Sequence, residues 1–224
     1  MGTDSFRYGS VDQRLKSIAH AIGIVVGAYA AGIVLTILAF NLLAILGVSY
    51  ESAADLPAAV RAFGIALQFS GFFLVGLWYL RRGEWDVPLF RIRVPTLREV
   101  GWVVGGFVIL YGTLVVLSSL ITVLGLDVAA NDAITQGKEQ PTYLLYLIPI
   151  AFLFNAPAEE FIFRGIVQGL FRRVYGVVPA VILASLLFGV VHYVAVGGGG
   201  SKLVYVAVAV ALGLVLGTLY EKTE

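Results

Sequence analysis

The stretch Asn155-Ala156-Pro157-Ala158-Glu159-Glu160-Phe161-Ile162-Phe163-Arg164-Gly165 puts two adjacent carboxylates and one guanidinium inside a run that otherwise reads as lipid-soluble. A charge near a bilayer centre costs at least about 2.5–3.5 kcal/mol on insertion scales. Three of them within six residues need a reason. Residues four apart lie on one face of a helix, so Glu160 and Arg164 can pair. Glu159 is rotated by about 100° from Glu160, because a turn takes 3.6 residues. One carboxylate can therefore be tied to arginine while the other points elsewhere, as a general base requires. The competing reading is an ion-paired cluster that only fixes helix packing. Ionisable groups inside a membrane mark functional sites often enough to favour the first.

Composition supports the membrane setting. The chain has 224 residues, 59% apolar and 13% charged, with a mean hydropathy of +0.93. These values describe an integral membrane protein. A net charge of +1 leaves no basic surface for nucleic acid. There are no cysteines, which excludes disulfides, thiolate nucleophiles and Cys-based zinc sites. The first apolar run exceeds the h-region of a signal peptide and reads as a retained signal anchor.

Working outward from the charged stretch, six apolar runs emerge: 18–48, 58–80, 100–124, 143–171, 177–196 and 203–220. Each is close to or longer than the roughly 20 residues that span a bilayer. The fold class is therefore all-α, a polytopic transmembrane helical bundle. Residues 1–142 form a polar N-terminal segment with three spans, and 143–224 form the second division, which carries the charges. Polar loops are expected at 127–140 and 197–201, the latter a flexible Gly-rich link. Gln68, Asn41 and Gln168 are candidates for interhelical hydrogen bonds, and His20 for an interfacial position.

Charge bias orients the spans. With the N-terminus inside, Arg7, Arg14, Lys16, Arg81, Arg82, Arg91, Arg93, Arg98, Arg172, Arg173 and Lys222 lie inside. Arg61, Lys138 and Lys202 lie outside. The expectation is a multi-pass protein of the cell membrane with both termini cytoplasmic.

A second polar centre is His192, late in the fifth run. Glu159 lies 13 residues before Arg172, and His192 lies 15 residues after Val177. At 1.5 Å per residue both sit about 20–22 Å from the inner ends of antiparallel neighbours, so they can meet at one level. Phe188, four residues before His192, can pack beneath the imidazole. Pro157 either starts a half-helix capped by Asn155, facing a water-filled cavity, or simply kinks the span.

Glu159-Glu160-x-x-x-Arg164, followed by Phe188-x-x-x-His192 on the next span, resembles the CAAX protease and bacteriocin-processing family, also called the Abi family. The resemblance covers about residues 143–220. It implies a helical intramembrane endopeptidase acting on membrane-associated proteins, prenylated CAAX-like ones among them. In such enzymes the first glutamate and the histidine activate water. Those roles fall here on Glu159 and His192, with Glu160 and Arg164 supporting them. No cofactor is the favoured implication, with a divalent metal such as zinc as the alternative. Members usually carry His-x-x-x-Asn on a later helix, soon after Tyr-x-x-Thr. Here Tyr220-Glu221-Lys222-Thr223 is followed only by Glu224. The expectation is a chain lacking its last helix, inactive as it stands, and covered by lipid, water or a second copy. A proton-coupled transporter, with Glu159, Glu160 and His192 as a relay, and a non-catalytic membrane scaffold are the other classes that fit. The partners implied are membrane lipid and a membrane-tethered peptide or protein.

Overall fold

The computed structural model describes residues 9–52, 55–82, 96–197 and 199–223. Among the described residues, six helices are long and apolar enough to cross a membrane: Val11–Ile45, Ala58–Arg82, Leu97–Val123, Pro141–Tyr175, Val177–Val194 and Lys202–Thr223. No strand occurs among the described residues, and the all-α polytopic fold is as the sequence predicts. Arg7, Arg91, Arg93 and Glu224 lie outside the described residues. A short helix, Asp132–Glu139, replaces part of the loop expected at 127–140.

Helix starts are set by caps, not by the edge of the apolar run. Ser10 Oγ accepts from the N–H of Gln13 at 3.3 Å, and Gln13 Oε1 accepts from the N–H of Ser10 at 2.9 Å. This reciprocal box begins the first helix seven residues before the apolar run. Thr96 and Glu99 form the same box ahead of Leu97, with Glu99 Oε2 accepting from the Thr96 N–H at 2.7 Å.

The chain divides into two compact units. One comprises Ala19–Asp86 and Ala133–Ile166. Its first and second helices touch backbone to backbone. A Cβ on Gly32 would strike the Gln68 carbonyl, and one on Gly71 would strike the backbone of Gly32. Thr36 Oγ1 bridges the pair, lying 3.0 Å from Gly32 O and 3.2 Å from Gly64 O. Small residues at such crossings let dispersion do what the hydrophobic effect cannot do in lipid. Gly76 then admits the ring of Phe161 on the fourth span, and Phe73 stacks on that ring at 5.9 Å. At the other end Arg61 donates to Gln136 Oε1 at 3.0 Å and to Gln140, and lies 4.8 Å over the Tyr143 ring.

The other unit comprises Met1–Ile18, Val87–Asp132 and Val167–Glu224. Its fifth and sixth helices pack through glycines. Gly213 faces Ser185, Gly217 faces Gln168 and Val181, and Gly189 faces Val206 and Val210. The N-terminal end of the first helix is tied here too: Gly9 donates to Val174 O at 3.0 Å, and Tyr175 donates to Arg14 O at 3.3 Å. The Gly-rich link is not a free tether. Ser201 and Ala129 pair across 3.3 Å, and Gly197 donates to Ala130 O at 3.2 Å. Gly200 has φ +70° and lies against Val128 so closely that no side chain fits.

Candidate active site

The carboxylate pair sits between two wide turns. The fourth span is helical from Pro141 to Tyr175, but Ala151–Asn155 and Phe161–Gln168 are π-helical. Only Ala156–Glu160 between them keeps α geometry. A proline inside an α-helix clashes with the carbonyl four residues back. Ahead of Pro157 the hydrogen bonds slip by one, and the N–H of Ala156 donates to Ala151 O, five residues away. The wide turn moves the offending carbonyl and lets the helix continue through the proline. Asn155 is itself helical, with φ −62° and ψ −63°, and its side chain makes no cap. Of the two readings of Pro157, the half-helix capped by Asn155 is therefore overturned.

Arg164 is 1% exposed, and its Nε lies 3.6 Å from Glu160 Oε1. The Glu160 side chain keeps 41% of its exposure. Glu159 precedes it in the same α-turn and so points about 100° away. It is partly buried and remains within electrostatic reach of Arg164, of Glu160 and of Tyr29 on the first helix. The predicted Glu160–Arg164 pair is thus present. Glu159 does not sit at the depth that α-helical rise predicts, because eight of the residues between it and Arg172 are π-helical and do not climb at the α-helical rate.

His192 belongs to the other unit. The α-helix Val177–Val191 ends there and a 3-10 turn, His192–Val194, follows. His192 Nδ1 lies 2.7 Å from the carbonyl oxygen of Phe188. The Phe188 ring, 4.3 Å away, packs against the imidazole as the i, i+4 spacing predicts. Tyr205 of the sixth helix stacks at 6.4 Å with an interplanar angle of 28°, and its hydroxyl accepts from Asn131 at 3.2 Å. A cavity of about 500 Å³ opens beside His192, lined by Phe107, Tyr111, Leu114, Phe188, Tyr205, Leu212 and other apolar residues. Tyr205 and Asn131 had no sequence signal, since nothing in the spacing links the third loop to the sixth helix.

The remaining polar candidates behave variously. Gln168 is buried and donates across helices to Gly217 O at 3.1 Å and to Glu221 Oε1 at 2.8 Å. Asn41 instead donates to Ile37 O within its own helix. His20 Nδ1 meets the Tyr79 hydroxyl at 3.3 Å. Among the described residues no group of three His, Asp or Glu side chains is arranged to hold a metal ion.

These features define a polytopic membrane protein with an ionisable centre in its fourth span and an anchored histidine at the end of its fifth. Residues 141–224 match the family model described as Rce1-like, type II CAAX prenyl endopeptidase Rce1-like. The matched segment holds Glu159, Glu160, Arg164 and His192. No curated protein and no solved structure matches the chain. The family match bears out the resemblance to the CAAX proteases, and it supports a CAAX-type intramembrane endopeptidase in general terms.

Proposed function

We propose that the protein is an intramembrane endopeptidase that hydrolyses peptide bonds in membrane-associated substrates with water activated by Glu159 and His192. The observation that carries this reading is the anchoring of His192. A carbonyl oxygen only accepts, so the proton of the 2.7 Å contact to Phe188 sits on Nδ1. In the neutral imidazole Nε2 is then the basic nitrogen. Phe188 and Tyr205 hold the ring in that orientation.

Glu159 supplies the second base. In this reading Glu159 accepts a hydrogen of the attacking water, whose lone pair meets the scissile carbonyl, and Nε2 of His192 is a second acceptor for water. As the C–O bond forms, Glu159 takes a proton from the water. It returns that proton to the leaving amine as the C–N bond breaks. The products are a carboxylic acid and an amine, and the two groups are restored. Positioned acid–base groups of this kind contribute about 10²–10⁴-fold. Glu160 and Arg164 position the turn that carries Glu159, through their ion pair. The apolar cavity beside His192 suits an aliphatic part of the substrate, such as a prenyl group or an apolar side chain. The charge bias of the loops supports a place in the cell membrane with both termini cytoplasmic.

The test is cleavage of a lipidated, membrane-tethered peptide by the purified full gene product, read by mass spectrometry. Two complementary fragments are expected. Intact peptide after exhaustive incubation, across lipidated and unlipidated forms, overturns the reading.

A further inference from the structure

The foot of the fifth and sixth helices carries a site that peptide hydrolysis does not use. A cavity of about 480 Å³ is walled by Val177, Val178, Val181, Ile182, Leu214 and Thr218. Arg172, Glu221 and Lys222 complete its lining. The charged residues stand where the fourth span ends and the sixth span ends, and Val177 is where the fifth begins. Leu214 lies eight residues before Lys222, so the groove runs about 12 Å from its charged end into the apolar depth of the spans.

The charges at this end are unequal. Glu221 is 8% exposed and already committed: Arg172 Nε lies 3.2 Å from Oε2, and Gln168 Nε2 donates to Oε1 at 2.8 Å. Arg172 stays 46% exposed despite that pair. Lys222 is exposed and adds a second cation to the same lining. Among the described lining residues, two cations against one internally engaged carboxylate leave an excess of one positive charge. A soluble anion has no use for the 12 Å apolar wall. A neutral lipid has no use for the cations. An anionic lipid uses both.

We propose that this groove seats an anionic glycerophospholipid, with its phosphate at Arg172 and Lys222 and one acyl chain along Val178, Ile182 and Leu214. The placement at helix ends puts the phosphate at the headgroup level of whichever leaflet faces those ends. The bound lipid reinforces the Gln168–Glu221–Arg172 cluster, which joins the fourth and sixth spans. It is independent of the peptidase reaction and stands or falls without it.

The experiment uses the full chain in neutral detergent with phosphatidylglycerol or phosphatidylcholine of identical acyl chains. Native mass spectrometry reads the bound fraction. Phosphatidylglycerol is expected to be retained in preference to phosphatidylcholine. Lys222→Ala is expected to weaken phosphatidylglycerol about fivefold, the effect of one cation near a membrane surface. Thr218→Trp, on an exposed position of the wall, is expected to abolish the bound lipid. Should that variant fold poorly, Val178→Trp at a 69% exposed position blocks the same wall. Equal retention of both lipids overturns the proposal. So does unchanged phosphatidylglycerol binding in Lys222→Ala, or in a folded wall-blocking variant. Displacement by glycerol 3-phosphate alone would assign the cations to a soluble anion, and also overturns it.

Discussion

Replacing Glu160 by Gln removes one partner of the Arg164 ion pair while keeping its shape. If both partners were fully buried, breaking the pair would cost about 3–5 kcal/mol, because a charge is left without compensation. The structure argues for less. Arg164 is 1% exposed, but the Glu160 side chain keeps 41%, and the contact is a single 3.6 Å approach through Nε. Exposed pairs are worth about 0–1 kcal/mol. A value between these limits, about 1–3 kcal/mol, follows. For a chain of this length each kcal/mol moves Tm by about 2–4 °C. Glu160→Gln should therefore lower Tm in detergent by roughly 2–12 °C. Glu159→Gln should move it less, since the 3.6 Å ion pair to Arg164 runs through Glu160. The double variant Glu160→Gln/Arg164→Met should regain much of the loss, because an apolar replacement removes the buried charge itself. The reasoning is refuted if Glu160→Gln costs no more than Glu159→Gln, or if the double variant is worse than both single ones combined.

Gly71→Ala should loosen the first two helices by about 1–3 kcal/mol, because its methyl meets backbone atoms of Gly32 and Ala28. Gly23→Ala, which meets nothing within 4 Å, is the control, and equal thermal shifts would contradict the close crossing. Single cysteines at Ser5 and Ser52 report topology in a chain that has no native cysteine. In intact cells an impermeant thiol reagent should label Ser52→Cys and spare Ser5→Cys, and the reverse pattern would invert the orientation.

Much of the fold was legible because lipid imposes a coarse rule. A span needs about 20 apolar residues whatever its neighbours do, and all six runs became helices. Their starts were not read, although a signal for two of them was there. Ser10-x-x-Gln13 and Thr96-x-x-Glu99 are capping boxes, and they place the helix ends where hydropathy only marks the edge of the apolar run. The π-helical turns around Glu159 were not legible. Hydropathy reports which residues face lipid, not which carbonyl each N–H selects. Pro157 signalled a disturbance but not that a wide turn would absorb it. Glu221 was read only as part of the Tyr220-x-x-Thr223 stretch, yet its carboxylate is engaged by Arg172 and Gln168, and those partners are some fifty residues away in sequence. The Glu160–Arg164 pair and the Phe188–His192 contact were visible in advance because both are i, i+4 neighbours on one helix.

The central claim is that Glu159 is the base that activates water. It is tested most directly by the single-turnover cleavage rate of Glu159→Gln in the full gene product, with wild-type Tm confirmed on the same sample. Gln keeps the shape and removes the proton acceptor, so the rate should fall by at least about 10²-fold. Cleavage at close to the wild-type rate by folded Glu159→Gln would contradict the account.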